Sequence, residues 1–378
     1  MGWALLLAEH EKIQENGRDT VSEPIFRKYR TGDEWGLTLL AKAVWGSDYS
    51  EEYWRWKYVD NPARDNHSYV AECRGEIVGF SGCIPWKIGV SGKEAIGAQM
   101  TDMMVHPEWR RKDIYFPLNR CVLEEIKRYA DLQYGFTNPS SFRIYKKRFK
   151  YDGFSPVKMQ KVVNTRLLVW QGIRKLKPAD VKRVISVVPR TIAYMAGTSS
   201  GRFGHAGKKV EIKRLQHFDD RFDEFWIRVR QDLKIATIRD RRYLDWRYLK
   251  NPERRYTILS AEQGGVLAGF AVLRSEETEG MMRGMVVDFL VAPAYEDSAV
   301  SLLEESLKFF RDENAALVNL WISSEHNDIF KLLAAKGFSA KQVQEVIVLL
   351  KSFTPNIESA FLRDPANWYL TMGDCEVF

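Results

Sequence analysis

Long hydrophobic runs are missing from this chain of 378 residues. No stretch approaches the roughly 18 consecutive apolar residues that cross a bilayer. The opening Met1-Gly2-Trp3-Ala4-Leu5-Leu6-Leu7-Ala8 has too short an apolar core for a secretory signal, and acidic residues follow at once. Cysteine is scarce as well. Cys73, Cys83, Cys121 and Cys375 lie far apart, without a C-x-x-C pair or a Cys/His cluster. That argues against a disulfide framework and a structural zinc site. Nor is there a strong excess of one charge: 57 Lys+Arg against 50 Asp+Glu leave +7. A nucleic-acid domain concentrates its charge more than this. The densest basic stretch, Arg143-Ile144-Tyr145-Lys146-Lys147-Arg148-Phe149-Lys150, reads either as a solvated helix face or as a site for one phosphorylated ligand. With 45% apolar and 28% charged residues the composition is globular. At ~150 residues per domain the length gives two or three domains. The expectation is a soluble, cytoplasmic protein with no metal, no membrane span and no nucleic-acid partner.

What the chain does have is an internal repeat. Tyr53-Trp54-Arg55-Trp56-Lys57-Tyr58-Val59-Asp60-Asn61-Pro62 aligns with Tyr243-Leu244-Asp245-Trp246-Arg247-Tyr248-Leu249-Lys250-Asn251-Pro252, with five of ten positions identical at an offset of 190. The offset carries Ala71-Glu72 onto Ala261-Glu262 and Gly79-Phe80 onto Gly269-Phe270. At an offset of 186, Asp102-Met103-Met104-Val105-His106-Pro107 meets Asp288-Phe289-Leu290-Val291-Ala292-Pro293. Gly153-Phe154 and Gly337-Phe338 close the two halves. Such order over a hundred residues marks a tandem duplication.

Each half predicts an aromatic-rich helix ending at Asn-Pro, since proline disfavours helix in the residue before it. Two strands joined by a glycine turn follow: Ser68 to Cys73 and Ile77 to Ile88, or Tyr256 to Ala261 and Val266 to Arg274. A third strand, Gly97 to Val105 or Met285 to Val291, leads into a helix, Phe116 to Tyr129 or Ser298 to Arg311. A meander followed by strand–helix alternation predicts an α/β (α+β) fold, with two mixed, mostly antiparallel sheets flanked by helices. Residues 24–165 form the first domain, 166–207 a connector with a Gly/Ser-rich end, 208–352 the second domain and 353–378 a tail.

The most informative local pattern is a strand, a loop and a helix start: Met100-Thr101-Asp102-Met103-Met104-Val105-His106-Pro107-Glu108-Trp109-Arg110-Arg111-Lys112-Asp113-Ile114-Tyr115. A basic turn feeding a helix N-terminus offers unpaired N–H groups and a positive dipole end, which suits a pyrophosphate. Here the chain resembles the GNAT superfamily of acyl-CoA-dependent N-acyltransferases. That family carries Val-x-Pro-x-x-Arg and then Arg/Gln-x-x-Gly-x-Gly/Ala. Val105, Pro107 and Arg110 match, while Asp113 and Tyr115 stand where the family has Gly and Gly/Ala. The family's second motif, Asn-x-x-Ala-x-x-Leu-Tyr with Gly-Phe, is met by Asn138, Tyr145 and Gly153-Phe154, with four extra residues between its parts.

The resemblance covers about 24–165 and 208–352, and implies two tandem GNAT-like domains with the site in the first. It implies acyl-CoA, acetyl-CoA foremost, as co-substrate between the strand ending at Val105 and the strand around Tyr134-Gly135-Phe136. Pantetheine would pair with the backbone from Gln99 to Val105. Cofactor contacts fall on Met103, Met104, Val105, Arg110, Arg111, Lys112, Asp113, Ile114, Tyr115 and Asn138. The catalytic candidates are Tyr145, Asp102, Asn138 and Phe378. Tyr145 would protonate the departing thiolate, or alternatively pack its ring on the sheet. Asp102 would act as base or, because Asp288 repeats it, satisfy a β-bulge. The tail would place the Phe378 carboxylate near the incoming amine, as in the N-myristoyltransferases and survival-type acetyltransferases that the architecture resembles, or simply cap the domain interface. Glu51 and Glu52 are lesser candidates for touching the substrate, and His106 reads as a surface residue at a strand end.

In the second half, Ala294-Tyr295-Glu296-Asp297 is acidic where a diphosphate needs positive charge, and Leu333 and His326 replace the tyrosine and asparagine. It reads as a structural or substrate-shaping domain. The Trp/Tyr repeats suit core packing more than ligand stacking. The function expected is N-acylation of a small amine, an amino sugar of surface polysaccharide being one candidate. A CoA-free pseudo-enzyme scaffold and a Fem-type aminoacyl transferase are the alternatives.

Overall fold

The computed structural model describes residues 23–63, 65–168, 209–325 and 328–378. Most of the expected connector, from 169 onward, and His326 lie outside the described residues. The first half opens with β1 (Ile25–Lys28) and the helices Glu34–Trp45 and Glu51–Tyr58. Ser50 caps the second helix, its Oγ accepting from the Tyr53 amide at 3.2 Å. Then come β2 (Tyr69–Cys73), β3 (Glu76–Val90), β4 (Lys93–Val105), the helix Tyr115–Ile126 and β5 (Leu132–Thr137). The helix Pro139–Ile144 continues as a π turn over Tyr145–Phe149, before β6 (Asp152–Phe154) and β7 (Val157–Val162). The second half gives β8 (Val210–Leu215), the helix Arg221–Val229, β9 (Ile235–Thr237) and the aromatic stretch Arg241–Leu244 with its π turn Asp245–Leu249. After these come β10 (Thr257–Gln263), β11 (Val266–Thr278), β12 (Met281–Val291), the helix Glu296–Asp312 and β13 (Leu317–Ile322). The helix Asp328–Ala335, β14 (Ser339–Gln342) and β15 (Ile347–Ser352) lead into the tail.

One boundary differs from the sequence expectation. β3 and β4 run past Ile88 and start before Gly97, meeting at Ser91-Gly92, where φ is +50° and +78°. Two consecutive positive φ angles make a tight hairpin turn whose twist suits the flanking strands. The arm adds Val90↔Lys93 pairing, and its far edge receives β9 of the other half.

The two sheets have the same plan. One runs β1-β2-β3-β4-β5-β15-β6, and the other, read from its far edge, β8-β10-β11-β12-β13-β7-β14. β4–β5 and β12–β13 are the parallel pairs of an otherwise antiparallel arrangement. The last strand of each half is exchanged. β15, from the end of the second half, lies between β5 and β6, with Val348 opposite Phe136 on one side and Phe154 on the other. β7, from the first half, lies between β13 and β14, with Met159 opposite Leu320 and Ala340. Burial enforces the exchange: Val348, Leu349, Leu350 and Met159 are all 2% exposed or less. The domains read from the sequence as 24–165 and 208–352 therefore do not coincide with the sheets, because each segment completes the other's sheet.

The repeated aromatic stretches meet at the joint between the halves. Trp56 and Trp246 stack with ring centroids 4.7 Å apart and planes 13° from parallel. Each indole Nε1 donates to the other's backbone carbonyl at 2.8 Å. Trp86 packs against Trp246. Core packing is thus what these tryptophans do. Among the described residues, no helix is long and apolar enough to cross a membrane, and no cluster of His, Cys, Asp and Glu is placed to hold a metal.

Candidate active site

β4 and β5 pair from Gly97↔Leu132 to Met100↔Gly135 and then separate. The separation follows from a bulge. Opposite β3 the register slips so that Gly82 faces Thr101 and Phe80 faces Met104, leaving Asp102 and Met103 across from Ser81 alone. Asp102 takes φ = +46° there. Where the strands part lies a cavity of about 550 Å³. β4 contributes Met100 to Met103 and Val105 to its wall, β5 Phe136 and Thr137, and the turn beyond β5 Ser141 and Tyr145. Val44 approaches from the first helix, and Leu349 from the exchanged strand β15.

The far end of the cavity is the loop from Trp109 to Phe116. Arg111 and Asp113 adopt φ of +67° and +51°, so the loop keeps the left-handed turns that glycine would give and makes them with side chains present. The helix Tyr115–Ile126 has no side-chain cap, which leaves its first amides and dipole end available to an anion. Arg110 and Arg111 line this end, and Arg148, from the basic stretch, lies over the Phe116 ring at 5.8 Å. The expected contacts Met103, Val105, Arg110, Arg111, Asp113, Ile114 and Tyr115 thus share one cavity. Three others lie off its wall. Met104 is buried in the first core, Lys112 stacks its ammonium 4.4 Å above Trp109, and Asn138 is exposed and caps the helix Pro139–Ile144 through the Ser141 amide.

If this loop holds the diphosphate that the GNAT resemblance implies, Asp113→Gly tightens acyl-CoA binding several-fold, by removing a carboxylate from the cavity wall and a side chain from a left-handed position. Calorimetry checks this. Unchanged affinity would show that the loop does not hold the diphosphate.

Tyr145 starts the π turn and is buried in the cavity wall. Its hydroxyl donates to Asn119 Oδ1 at 3.0 Å, and Asn119 is itself held by donating to the Tyr115 carbonyl at 2.9 Å. Burial pushes the Tyr145 hydroxyl well above the usual phenol range, so the proton stays on oxygen until a strong acceptor arrives.

Asp102 Oδ2 takes the Lys57 ammonium at 2.5 Å and the Tyr58 hydroxyl at 2.5 Å. Burial works to lower the Lys57 pKa, but Asp102 and its neighbours outweigh it and the net shift is upward. The second half repeats the arrangement: Tyr248 donates to Asp288 at 3.0 Å, and Arg239 pairs with the same oxygen at 2.9 Å. Each tyrosine hydroxyl needs a glycine beside it. A Cβ on Gly82 would fall 2.1 Å from Tyr58 Oη, and one on Gly373 2.1 Å from Tyr248 Oη. Tyr58 and Tyr248 stand at the repeat offset of 190, and the sequence pattern missed them as partners of Asp102 and Asp288. Their recurrence at that offset was the available signal.

The tail is placed differently from the sequence expectation. A carboxyl oxygen of Phe378 accepts from Arg247 Nη2 at 2.7 Å and from Tyr256 Oη at 2.8 Å, and its ring packs on Trp321. Both polar partners belong to the second half, and Phe378 is not part of the cavity wall. The reason is Arg247, the repeat counterpart of Lys57, whose guanidinium also binds the Gly373 and Cys375 carbonyls. Nearer the chain end, the Glu376 side chain accepts from Gln99 Nε2 at 3.2 Å and feels the charges of Lys57 and Asp102. Glu51 and Glu52 are exposed on the first turn of their helix.

In the second half, Glu296 and Asp297 occupy the first turn of the helix after β12 and answer its dipole themselves. Leu333 is buried in the second core. The tail covers Asp288: Thr371 donates to it, Asp374 shares Arg239 with it, and the Tyr369 hydroxyl donates to the Phe289 carbonyl.

Residues 26–152 match the acetyltransferase (GNAT) domain family. No curated protein matches the chain in sequence. Among solved structures the chain is similar to a conserved protein of unknown function and probable N-acyltransferase from Enterococcus faecalis, at 12% identity and a TM-score of 0.61 over 86% of this chain and 72% of that one. It is similar to a GCN5-related N-acetyltransferase from Anabaena variabilis at 15% identity and a TM-score of 0.60, covering 88% and 73%. A Saccharomyces cerevisiae N-myristoyltransferase with bound myristoyl-CoA gives 12% identity and a TM-score of 0.54, covering 89% and 82%. At these identities the structural likeness speaks for the fold.

Proposed function

We propose, from the premise that residues 26–152 are a GNAT acetyltransferase domain, that the protein transfers an acetyl group from acetyl-CoA to a small amine. The observation that carries this reading is the cavity between the parted strands, lined by Arg110 and Arg111 at its loop end and with the proton-bearing Tyr145 in its wall. Arg110, Arg111 and the uncapped helix start suit a diphosphate, and the free edge of β4 suits the amide groups of pantetheine. A short acyl group is favoured because the strands re-pair at Met100↔Gly135, with Gln99 and Tyr134 buried behind them. In the reaction the amine nitrogen bonds to the thioester carbon, the carbon–sulfur bond breaks, and Tyr145 gives its proton to the thiolate. The acceptor class to assay first is amino sugars.

A second reading, a scaffold that does not use acyl-CoA, is favoured by Asp113 in the cavity wall. Thermal unfolding with acetyl-CoA decides between them. At a hundredfold excess over Kd, binding stabilises the folded state by about 2.7 kcal/mol. No shift at millimolar acetyl-CoA or longer acyl-CoAs would overturn the acetyltransferase reading.

A further inference from the structure

The repeat separates what Asp102 does from what a base must do. The Tyr–Asp pair at the end of the third strand is present in both halves, including the half whose Asp288 is covered by the tail and 1% exposed. A feature shared with that covered position serves the bulge. Asp102 Oδ2 is already shared between an ammonium and a hydroxyl. Glu376 has no counterpart in the repeat. Arg254 fixes it from behind by donating to its backbone carbonyl at 2.8 Å. Gln99 Nε2, anchored on the Asp374 carbonyl at 2.9 Å, donates to Glu376 Oε2 at 3.2 Å. Among the described residues no donor reaches Oε1. Gln99 precedes Thr101 by two residues on β4, a spacing of about 7 Å, and Thr101 and Asp102 line the cavity.

We propose that Glu376 is the proton acceptor for the incoming amine, with Asp102 and Lys57 as positioning residues. The proposal rests on the acetyltransferase reading above. As the amine nitrogen bonds to the acyl carbon and the thiolate leaves, one N–H proton passes to Glu376 Oε1, while Tyr145 supplies the proton that ends on sulfur. The groups facing Glu376 are Lys57 and Asp102 from the first half and Arg247 from the second, with Cys375 and Tyr134 close by. Burial raises the Glu376 carboxyl above its ordinary value, which makes it the stronger proton acceptor.

The test is Glu376→Gln in the full chain. Glutamine keeps the size and still accepts from Gln99, so a merely structural role for Glu376 would survive the change. The expected result is a fall in kcat of ~10²–10⁴, with the melting temperature and the acetyl-CoA thermal shift unchanged and Glu376→Asp partly active. CoA release from acetyl-CoA is followed across a panel of primary amines. If Glu376→Gln turns over at the wild-type rate, Glu376 is not the acceptor and the acetyltransferase reading stands. If wild-type protein neither binds acetyl-CoA nor releases CoA with any amine, both fall together. Should Glu376→Gln fail to fold, formate rescue of Glu376→Ala supplies the same decision: restored turnover supports the proposal and no restoration overturns it.

Discussion

Trp56→Ala is expected to lower the unfolding free energy by about 3–5 kcal/mol, the range for deleting a buried tryptophan ring. Trp56 is 5% exposed and lies face to face with Trp246, so truncation removes one side of the stack. It also removes the donor to the Trp246 carbonyl, which stays buried without it, at a cost of about 1–3 kcal/mol. Trp56→Phe keeps an aromatic face and loses the N–H, so about 1–3 kcal/mol is expected from that change. The two rings stack face to face, so a double-mutant cycle of Trp56→Ala with Trp246→Ala should show a coupling of about 0.5–3 kcal/mol. Urea unfolding of the four proteins gives the answer. Strict additivity would mean that the stack contributes nothing as a pair.

Tyr145→Phe is expected to cut kcat by ~10²–10⁴, as when a general acid is lost, while the acetyl-CoA dissociation constant stays within about twofold. The ring still fills the wall against Tyr115, Phe149 and Tyr151. Only the proton is missing. Asn119 Oδ1 loses its donor in this variant, so stability falls by about 1–3 kcal/mol and rates belong well below the melting temperature. Leu333→Ala is the contrasting substitution. Leu333 fills the second core and touches no cavity of the first half, so about 2–5 kcal/mol of stability is lost with kcat unchanged. Equal catalytic losses in the two variants would overturn the assignment of one active site to the first half.

The parts of this molecule that could be read from the sequence are those encoded locally or by repetition. The aromatic helices, the long hairpins, the bulge at Asp102 and the basic loop after Val105 follow from periodicity, turn residues and the 190-residue offset. The exchange of β7 and β15 left no such trace. Neither Val157–Val162 nor Ile347–Ser352 carries a mark of the sheet that receives it, and a β ladder does not record which half its partner came from. For that reason Leu349 was absent from the expected cavity wall. For Phe378 the sequence leaves two readings, a carboxylate near the amine or a tail that caps the domain interface. The arginine that captures it, Arg247, looked only like the counterpart of Lys57, and a Lys-to-Arg difference between repeats does not disclose that one pairs with Asp102 and the other holds the tail.

The strand exchange bears on how such a duplicated protein can change over generations. Ordinarily, once one copy of a doubled unit keeps the chemistry, the idle copy is free to drift or be deleted. Here deletion would take β15 out of the working sheet, and with it Leu349 from the cavity wall, and would leave β7 with no ladder to join. A gene split inside the 169–208 region would yield two polypeptides, each with a sheet open beside its β5 or β13 strand, and each fitted to no partner better than the other. Selection on the first half therefore reaches into the second, and the second copy is retained as a structural necessity.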